Sequence, residues 1–337
     1  MNETTIPTDS QATDSRATDP QASDSAVAQA QSAAARHSDS AASIRRITVA
    51  GAGTMGYSIA EIFARKGYEV TLWNHRWPAL DRAKTLIAPE VADSIDYSAS
   101  DHAFEDADLI VESIVEDIDA KLAFYRQASP LARPDAIIVT NTSGLSINKL
   151  ATAVIGPQRF LGMHWFNPPT LIPLIEIIKN DATDPAVART IYDLALAIGK
   201  KPAIVEKDVP GFAANRIQLA VVREVCSMVS KGIISPEGAD AVMKYGLGFR
   251  WSCLGPLETL DFGGIDVFEH VSEYLMPDLE DSHEVPALLK QHYEAGELGV
   301  KTGKGFYDYS GDKARQATAE RDRKLRAVHD ALYGGDN

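Results

Sequence analysis

Three glycines within six residues, in the stretch GAGTMG at positions 51–56, constrain the fold of this chain more than any other feature. A β-branched run, IRRITVA, comes before them. A helical pattern follows from Tyr57 and stops at Gly67, and a second strand pattern, YEVTLW, comes next. This order predicts a β-α-β unit of a doubly wound, mostly parallel sheet.

The glycine stretch also predicts what the unit binds. In the pattern G-x-G-x-x-G, Gly51 allows a tight turn, Gly53 lets the backbone approach a pyrophosphate, and Gly56 permits close helix packing. Thr54 and Met55 open the helix, where free N–H groups and the helix dipole favour phosphate. We therefore expect these five residues to hold a dinucleotide cofactor.

The remaining pattern predicts an α/β fold with a second, helical part. Further apolar runs, ADLIVESI, DAIIVTNTS, RFLGMHW and LIPLIEII, read as strands, mostly with helical patterns between them. We predict a Rossmann-type domain over residues 45–206, an all-helical C-terminal domain over 207–312 and a C-terminal helix over 313–337. Residues 1–44, with the near-repeat TDSQA-TDSRA-TDPQA-SDSAV, have little to bury and are expected to form a disordered tail.

Charge and cysteine content narrow the class of partner. The formal net charge of −14 argues against a nucleic-acid or anionic-membrane surface. The two cysteines, Cys226 and Cys253, form neither a metal spacing nor a disulfide framework, and no apolar run approaches the length of a membrane span. We expect a cytoplasmic protein with a small-molecule substrate and with no metal, membrane or nucleic-acid partner.

Four polar residues are candidates for catalysis. His164, in LGMHWFNPP, lies near the end of a predicted strand, the edge where ligands collect in open α/β sheets. Glu176 lies in the next apolar strand, where a carboxylate is costly unless it is paired, and a carboxylate-held imidazole is a general base near neutral pH. Ser143, after the strand AIIVT, could donate a hydrogen bond at the same edge, and Asn215 lies on the first helix of the second domain.

The end of the second strand, VTLWNHR, bears on the choice of cofactor. Asn74 stands where many dinucleotide-binding chains carry a carboxylate that bonds the ribose and repels a 2′-phosphate. Arg76 follows two residues later, and its guanidinium is suited to a phosphate. We expect NAD, with NADP possible through Asn74 and Arg76.

Together these motifs resemble the 3-hydroxyacyl-CoA dehydrogenase family, which includes 3-hydroxybutyryl-CoA dehydrogenases. The resemblance implies NAD(P)-dependent oxidation of a 3-hydroxyl to a ketone by hydride transfer, in a homodimer formed through the helical domain. The matching stretches run in family order between residues 45 and 309: GAGTMG, ADLIVESIVEDIDAK, NTSGLS, MHWFNPP, LIEII, KDVPGFAANR, SPEGADAVMKYGLGF, GPLETLDFGGIDV and KTGKGFYDY.

The resemblance also implies a role for each candidate. His164 matches the catalytic base and Glu176 the acid that orients it. Ser143 and Asn215 match residues that hydrogen-bond the reacting oxygen. Residues expected to line the cofactor side are Glu116, Lys121 and Asn141.

The substrate stays open between three interpretations. The first, which the resemblance favours, is a 3-hydroxyacyl-CoA thioester. The second is a small free hydroxy acid or carboxylated alcohol of the carnitine or pyridine-carboxylate type, with Arg250 as a candidate anion clamp. Two features favour this second interpretation. The short interval after the second strand leaves no room for the long basic hairpin of CoA-binding members. The basic residues of that interval are limited to Arg76, Arg82 and Lys84. The third, a non-catalytic nucleotide-binding protein of the crystallin kind, is disfavoured because all four catalytic candidates are present.

Overall fold

The computed structural model describes residues 44–334, and all of the predicted tail except Ile44 lies outside that range. Within the described range, eight strands form one sheet. The strands are β1 (Arg46–Ala50), β2 (Glu69–Trp73), β3 (Ile95–Ser98), β4 (Leu109–Glu112), β5 (Ile137–Thr140), β6 (Phe160–Trp165), β7 (Leu174–Lys179) and β8 (Lys201–Val205).

The strand order is β3-β2-β1-β4-β5-β6-β7-β8. Neighbouring strands are parallel except β6 and β7, which are antiparallel, so β7 and β8 run against the rest. The predicted class, a doubly wound and mostly parallel sheet, is confirmed. Because the chain moves outward from β1 in one direction and from β4 in the other, a crevice opens at the carboxyl ends of these two strands.

Helices cover both faces of the sheet. Helices α1 (Thr54–Arg65), α2 (Trp77–Leu86), α3 (Pro89–Ala92) and α6 (Pro185–Ala197) bury residues in one core, whereas α4 (Ile118–Ala128) and α5 (Ile147–Ala151) bury residues in the other. Val49 and Ala50, adjacent on β1, belong to different cores because successive side chains point to opposite faces of a strand. This two-sided burial explains why the strands read as continuous apolar runs.

Strand β8 was not predicted from the sequence. Its residues, KPAIV, are mostly exposed or half-buried, and Pro202 is a residue that sheets accept at an edge. An edge strand of this kind lacks the continuous apolar run that marked the central strands.

From residue 214 to residue 334 the regular elements are helices joined by turns, as predicted for the second domain. Ser235 caps the helix Pro236–Val242 by accepting a 3.1 Å hydrogen bond from the amide of Gly238. No helix within residues 44–334 combines the length and the apolar character needed to cross a membrane. The helices are α7 (Ala214–Ser230), α8 (Pro236–Val242), α9 (Gly248–Trp251), α10 (Pro256–Gly263), α11 (Ile265–Leu275), α12 (Ala287–Glu294) and α13 (Lys313–Tyr333), with a π-helical turn at Met243–Leu247.

Candidate active site

The glycine turn between β1 and α1 has the geometry that the motif predicts. Gly51 has a φ of +116°, and a Cβ there would lie 2.4 Å from the carbonyl oxygen of Ser113. A Cβ at Gly56 would lie 1.8 Å from the carbonyl oxygen of Gly51, so the helix can pack against the turn only with glycine here. A Cβ at Gly53, in contrast, would meet no atom within 4 Å. The backbone at Gly53 therefore faces open space.

The first turn of α1 has free backbone amides that can bind an anion. Gly53 is its N-cap residue, and no side chain caps the helix. The amides of this turn are therefore left for another acceptor. Thr54 and Met55 line the same open space, so the turn suits the pyrophosphate of a dinucleotide.

A cavity of about 1070 Å³ extends from this turn to the end of β6. The glycine turn and Asn74 form one end of its wall, and His164 and Asn215 are part of the wall as well. Helix α7 thus contributes Asn215 to a cavity otherwise built by the sheet domain.

The structure separates the two residues expected to select the cofactor. Asn74 lines the cavity, and its Nδ2 atom donates to the carbonyl oxygen of Arg76 at 3.1 Å. Arg76 is the N-cap residue of α2, is exposed, and is absent from the cavity wall. The expectation that Arg76 contacts the cofactor is therefore not supported. His75, which the sequence did not single out, lines the cavity instead.

Glu116 lines the cavity and organises the turn after β5. Its Oε1 atom accepts hydrogen bonds from the Thr142 hydroxyl at 2.6 Å and from the Ser143 amide at 2.8 Å. Asn141 also lines the cavity, and its Oδ1 atom accepts the Trp165 amide at 2.9 Å. Both residues therefore lie on the cavity wall.

Lys121 lies behind the wall rather than on it, which corrects its expected place. It is 1% exposed and forms an ion pair with Glu112, a buried carboxylate at the end of β4. Glu112 also accepts the hydroxyl of Tyr125 at 2.6 Å. The Lys121 ammonium reaches the cavity only through Glu116, whose Oε2 atom is 3.4 Å from Nζ. Burial, together with the negative charge of Glu112, raises the pKa of the Tyr125 hydroxyl.

His164 and Glu176 meet at the far end of the cavity. The Nδ1 atom of His164 is 2.9 Å from Oε2 of Glu176, and both side chains are almost fully buried. His164 lines the cavity, whereas Glu176 stands behind it. The carboxylate therefore holds one nitrogen of the imidazole and leaves the other, Nε2, for a ligand.

The second oxygen of Glu176 is held by α7. Oε1 accepts the backbone amides of Ala213 at 3.0 Å and Ala214 at 2.8 Å, at the N-terminus of the helix. Burial raises the pKa of the Glu176 carboxyl, but the hydrogen bonds from His164 and from these amides outweigh it, and the pKa lies below its usual value. Glu176 is therefore ionised near neutral pH.

Phe212 sets the entry into this helix. Its φ of +52° is left-handed, which is unusual for a residue with a side chain and costs about 1–3 kcal/mol. The ring is buried and its centroid lies 5.7 Å from that of His164. The strained turn directs the next two amides toward Glu176. No signal in the sequence predicted this role of the amides.

Ser143 and Asn215 are brought together across the two domains. Both line the cavity, and Nδ2 of Asn215 donates to the backbone carbonyl of Ser143 at 2.8 Å. Phe166 and Asn167, which follow His164 within the motif MHWFNPP, also line the cavity, although the sequence did not mark them as site residues. Arg250, the candidate anion clamp, is exposed on α9 and is not part of the cavity wall.

Comparison with known proteins agrees with this architecture. Residues 46–209 match the NAD binding domain of 3-hydroxyacyl-CoA dehydrogenase, and residues 211–309 match its C-terminal domain. The chain is 36% identical over 306 residues to 5-formyl-3-hydroxy-2-methylpyridine 4-carboxylate 5-dehydrogenase of Mesorhizobium japonicum, which covers 86% of this chain and 99% of that protein. It is 36% identical over 278 residues to a probable 3-hydroxybutyryl-CoA dehydrogenase of Deinococcus radiodurans, which covers 77% and 99%, respectively.

Two solved structures show the same fold. A crystal structure of a 5-formyl-3-hydroxy-2-methylpyridine 4-carboxylic acid 5-dehydrogenase, described as an NAD⁺-dependent dismutase, aligns with a TM-score of 0.81 at 35% identity, covering 86% of this chain and 99% of that one. The (S)-3-hydroxybutyryl-CoA dehydrogenase of Ralstonia eutropha aligns with a TM-score of 0.66 at 32% identity, covering 80% and 100%. The chain therefore belongs to the 3-hydroxyacyl-CoA dehydrogenase family, and it is an oxidoreductase that acts on the CH–OH group of its substrate with NAD.

Proposed function

We propose that this oxidoreductase oxidises a small, free carboxylated alcohol, of the hydroxy-acid or pyridine-carboxylate type, and that His164 is its general base. The proposal rests on which residues line the cavity wall. Among the described residues, the wall contains no lysine or arginine. The several phosphates of a CoA tail are best bound by such cations, whereas the single carboxylate of a small substrate can be bound by neutral donors near His164.

His164 removes the hydroxyl proton through Nε2. With Glu176 ionised, the Nδ1–H group donates to Oε2, and this fixes the tautomer that leaves the Nε2 lone pair available. As the proton arrives, the imidazolium that forms lies beside the carboxylate, which stabilises its charge. Glu176 itself keeps its charge, because the two amides of α7 hold its other oxygen.

When bound, NAD would supply the acceptor for the hydride of the substrate carbon. The residues that would hold it are the glycine turn at its pyrophosphate, and Asn74, Glu116 and Asn141 along the wall. Ser143 is the proposed donor to the reacting oxygen. Its backbone is held on both sides, by Glu116 at the amide and by Asn215 at the carbonyl, which leaves the hydroxyl for the substrate.

The lysine and arginine side chains of the segment between β2 and β4 do not line the cavity. Lys84 is paired with Asp93 at 3.1 Å, and Arg82 is exposed on α2. The segment consists of α2, the short α3, β3 and a single 3₁₀ turn at Asp101–Phe104, with no long basic hairpin. The fold also superposes better on the pyridine-carboxylate dehydrogenase, with a TM-score of 0.81, than on the 3-hydroxybutyryl-CoA dehydrogenase of Ralstonia eutropha, with a TM-score of 0.66.

The second candidate substrate is a 3-hydroxyacyl-CoA thioester, and the relatives named as 3-hydroxybutyryl-CoA dehydrogenases favour it. The two candidates are tested by the reduction of NAD with free 3-hydroxy acids, carnitine, hydroxymethyl-pyridine carboxylates, 3-hydroxybutyryl-CoA and its truncated pantetheine thioester. We expect a free acid to exceed the CoA thioester in kcat/KM by at least about a hundredfold, or roughly 3 kcal/mol. A CoA thioester that exceeds both its truncated analogue and every free acid by that factor would overturn the proposal in favour of the second candidate.

We also propose that the protein is a homodimer formed through its helical domain. In a single chain, large apolar side chains of this domain are exposed, such as Tyr245 at 82%, Phe262 at 81% and Leu257 at 74%. Soluble monomers rarely expose large apolar patches, so a second copy is the proposed cover. Light scattering should give twice the mass of one chain, and Phe262→Glu should shift it to that of a monomer. A monomeric wild-type protein would contradict this proposal.

A further inference from the structure

The loop that follows His164 forms part of the cavity wall. Residues 166–173, FNPPTLIP, connect β6 to β7. The centroid of the Phe166 ring lies 4.4 Å from that of His164, and both Phe166 and Asn167 line the cavity. The conformation of this loop therefore determines where Phe166 and Asn167 lie relative to the imidazole of His164.

This loop has few donors with which to satisfy its own carbonyl groups. Pro168, Pro169 and Pro173 have no N–H group. The amides of Leu171 and Ile172 both donate to the carbonyl of Pro168, each at 3.0 Å. The carbonyls of Pro169 and Ile172 thus depend on a donor from outside the loop.

Lys200 is that donor. Its ammonium donates to the carbonyl of Pro169 and, at 2.8 Å, to the carbonyl of Ile172. Its Nζ atom also lies 5.6 Å from the centroid of the Trp165 ring, and the residue is 7% exposed. The ammonium therefore joins two points of the loop from beneath.

The backbone directs Lys200 to this place. Helix α6 is followed by Gly199, whose φ of +81° is left-handed and reverses the chain. The amide of Lys200 then donates to the carbonyl of Ala195 at 2.9 Å, and β8 starts at the next residue. Because β8 runs parallel to β7, its first residues lie beside the point where the loop enters β7.

We propose that Lys200 is a positioning residue of the active site, whose ammonium holds loop 166–173 in the conformation that places Phe166 and Asn167 beside His164. Lys200 touches neither His164 nor the cavity. It acts through two backbone carbonyls and the Trp165 ring.

The charge of Lys200 makes this role dependent on pH. Burial lowers the pKa of the Lys200 ammonium to about 8. Within residues 44–334, none of the titratable groups on the surrounding strands and on α6 forms an ion pair with Lys200, and burial alone accounts for the shift. These groups are His164, Glu176, Lys179, Arg189, Tyr192, Asp193 and Lys201. Deprotonation removes the charge from the two hydrogen bonds, which weakens both, and leaves only two N–H donors on the amine. The loop should therefore loosen as the pH rises through about 8.

Amide hydrogen exchange of loop 166–173 tests the proposal without any substrate. Lys200→Met keeps the aliphatic stem and removes the donors, Lys200→Arg keeps a charge at every pH, and Lys201→Met is the matched control at the start of β8. At about pH 7, Lys200→Met should lower the protection factors of Leu171 and Ile172 about tenfold, while Lys201→Met leaves them unchanged. Between about pH 7 and about pH 9, the wild type should lose protection and Lys200→Arg should keep it.

Steady-state kinetics adds a second readout, which rests on the proposed function. The wild-type kcat/KM should fall with an apparent pKa near 8. Lys200→Met should lack this alkaline fall and should be lower than the wild type throughout, and Lys200→Arg should lack the fall up to about pH 9 because it stays charged. Equal loop protection in the wild type and in Lys200→Met at both pH values would overturn the proposal. A failure of every tested substrate would bear on the proposed function alone, because the exchange result decides the role of Lys200 independently.

Discussion

His164 and Glu176 are directly opposed residues in the antiparallel ladder of β6 and β7, and their side chains meet at 2.9 Å. Opposed residues of such a ladder project from the same face of the sheet, so the backbone pairing itself brings the imidazole to the carboxylate. The amides of Ala213 and Ala214 occupy the second carboxylate oxygen. The carboxylate cannot turn away from His164 without losing the bonds to α7, so the orientation of the base depends on both domains.

Replacement of His164 by glutamine should remove most of the turnover and leave the affinity for NADH unchanged. The side chain lies at the end of the cavity away from the glycine turn, and general-base catalysis is typically worth about 10²–10⁴-fold. Single-turnover rates measure the first effect and fluorescence titration with NADH the second. A variant with the wild-type single-turnover rate would exclude His164 as the base.

Glu176→Gln should also slow turnover, because the imidazolium formed during the reaction would lose its negative partner. The glutamine keeps the size of the side chain, and we expect a loss of about tenfold or more, smaller than the loss in His164→Gln. The measurement is again the single-turnover rate, with NADH affinity as the control. Rates equal to those of the wild type would show that the carboxylate has no part in the chemical step.

The same substitution predicts a dependence of stability on pH. The pKa of Glu176 in the folded protein lies below its usual value of 4.5, so ionisation of this group stabilises the fold above about pH 4.5. That contribution is lost as the pH falls below 4.5 through the folded value, where the protonated wild type resembles the glutamine variant. Urea unfolding at about pH 7 and about pH 4 should therefore show a stability difference between wild type and Glu176→Gln that shrinks in acid. A difference that stays constant would contradict the assignment.

The glycine turn offers a matched pair of substitutions. Gly56→Ala places a Cβ 1.8 Å from a backbone oxygen, so it should lower the melting temperature or prevent folding. Gly53→Ala meets no atom of the protein within 4 Å, so the fold should keep its melting temperature. Its methyl group would occupy the space that a pyrophosphate approaches, and the Kd for NADH should rise about tenfold or more. An unchanged Kd in Gly53→Ala would show that the cofactor does not use this turn.

The fold could be predicted for the strands that are buried on both faces and for the glycine turn. The central strands are covered on both sides, so each has an apolar sequence. The glycine turn indicated the first β-α-β unit. Strand β8 lies at the edge, is half exposed and carries Pro202, so it has no comparable pattern. The antiparallel pairing of β6 and β7 depends on contacts between separate strands, and no local sequence signal specifies it.

The site was predictable only in part, for a related reason. Glu176 could be identified because a carboxylate inside an apolar strand needs a partner, and His164 provides it. Lys121 lies in a helix with several charged and polar neighbours, so nothing in this part of the sequence indicates that its side chain is buried against Glu112. The amides that hold Glu176 belong to Ala213 and Ala214, whose side chains carry no chemical information.

Cofactor selection at the end of β2 gives the last prediction. Asn74 lies on the cavity wall and can accept a ribose hydrogen bond, but its amide has no charge to repel a 2′-phosphate. Asn74→Asp should therefore increase the preference for NAD over NADP. Arg76 caps α2 outside the cavity wall, so Arg76→Ala should change kcat/KM for NADP by less than about threefold, although its place in the sequence suggested a phosphate contact.

In the wild type, NAD should be preferred to NADP by less than about a hundredfold in kcat/KM, or roughly 3 kcal/mol, because the cavity end has no carboxylate at position 74. Steady-state kinetics with both cofactors, in the wild type and in the two variants, checks these values. Arg82→Ala, a change to an exposed arginine of the same helix, serves as the control for the loss of a positive charge. A large and selective loss of NADP activity in Arg76→Ala, but not in Arg82→Ala, would show that Arg76 turns toward the cofactor when it binds. A wild-type preference of many thousandfold would show instead that Asn74 discriminates as strongly as a carboxylate.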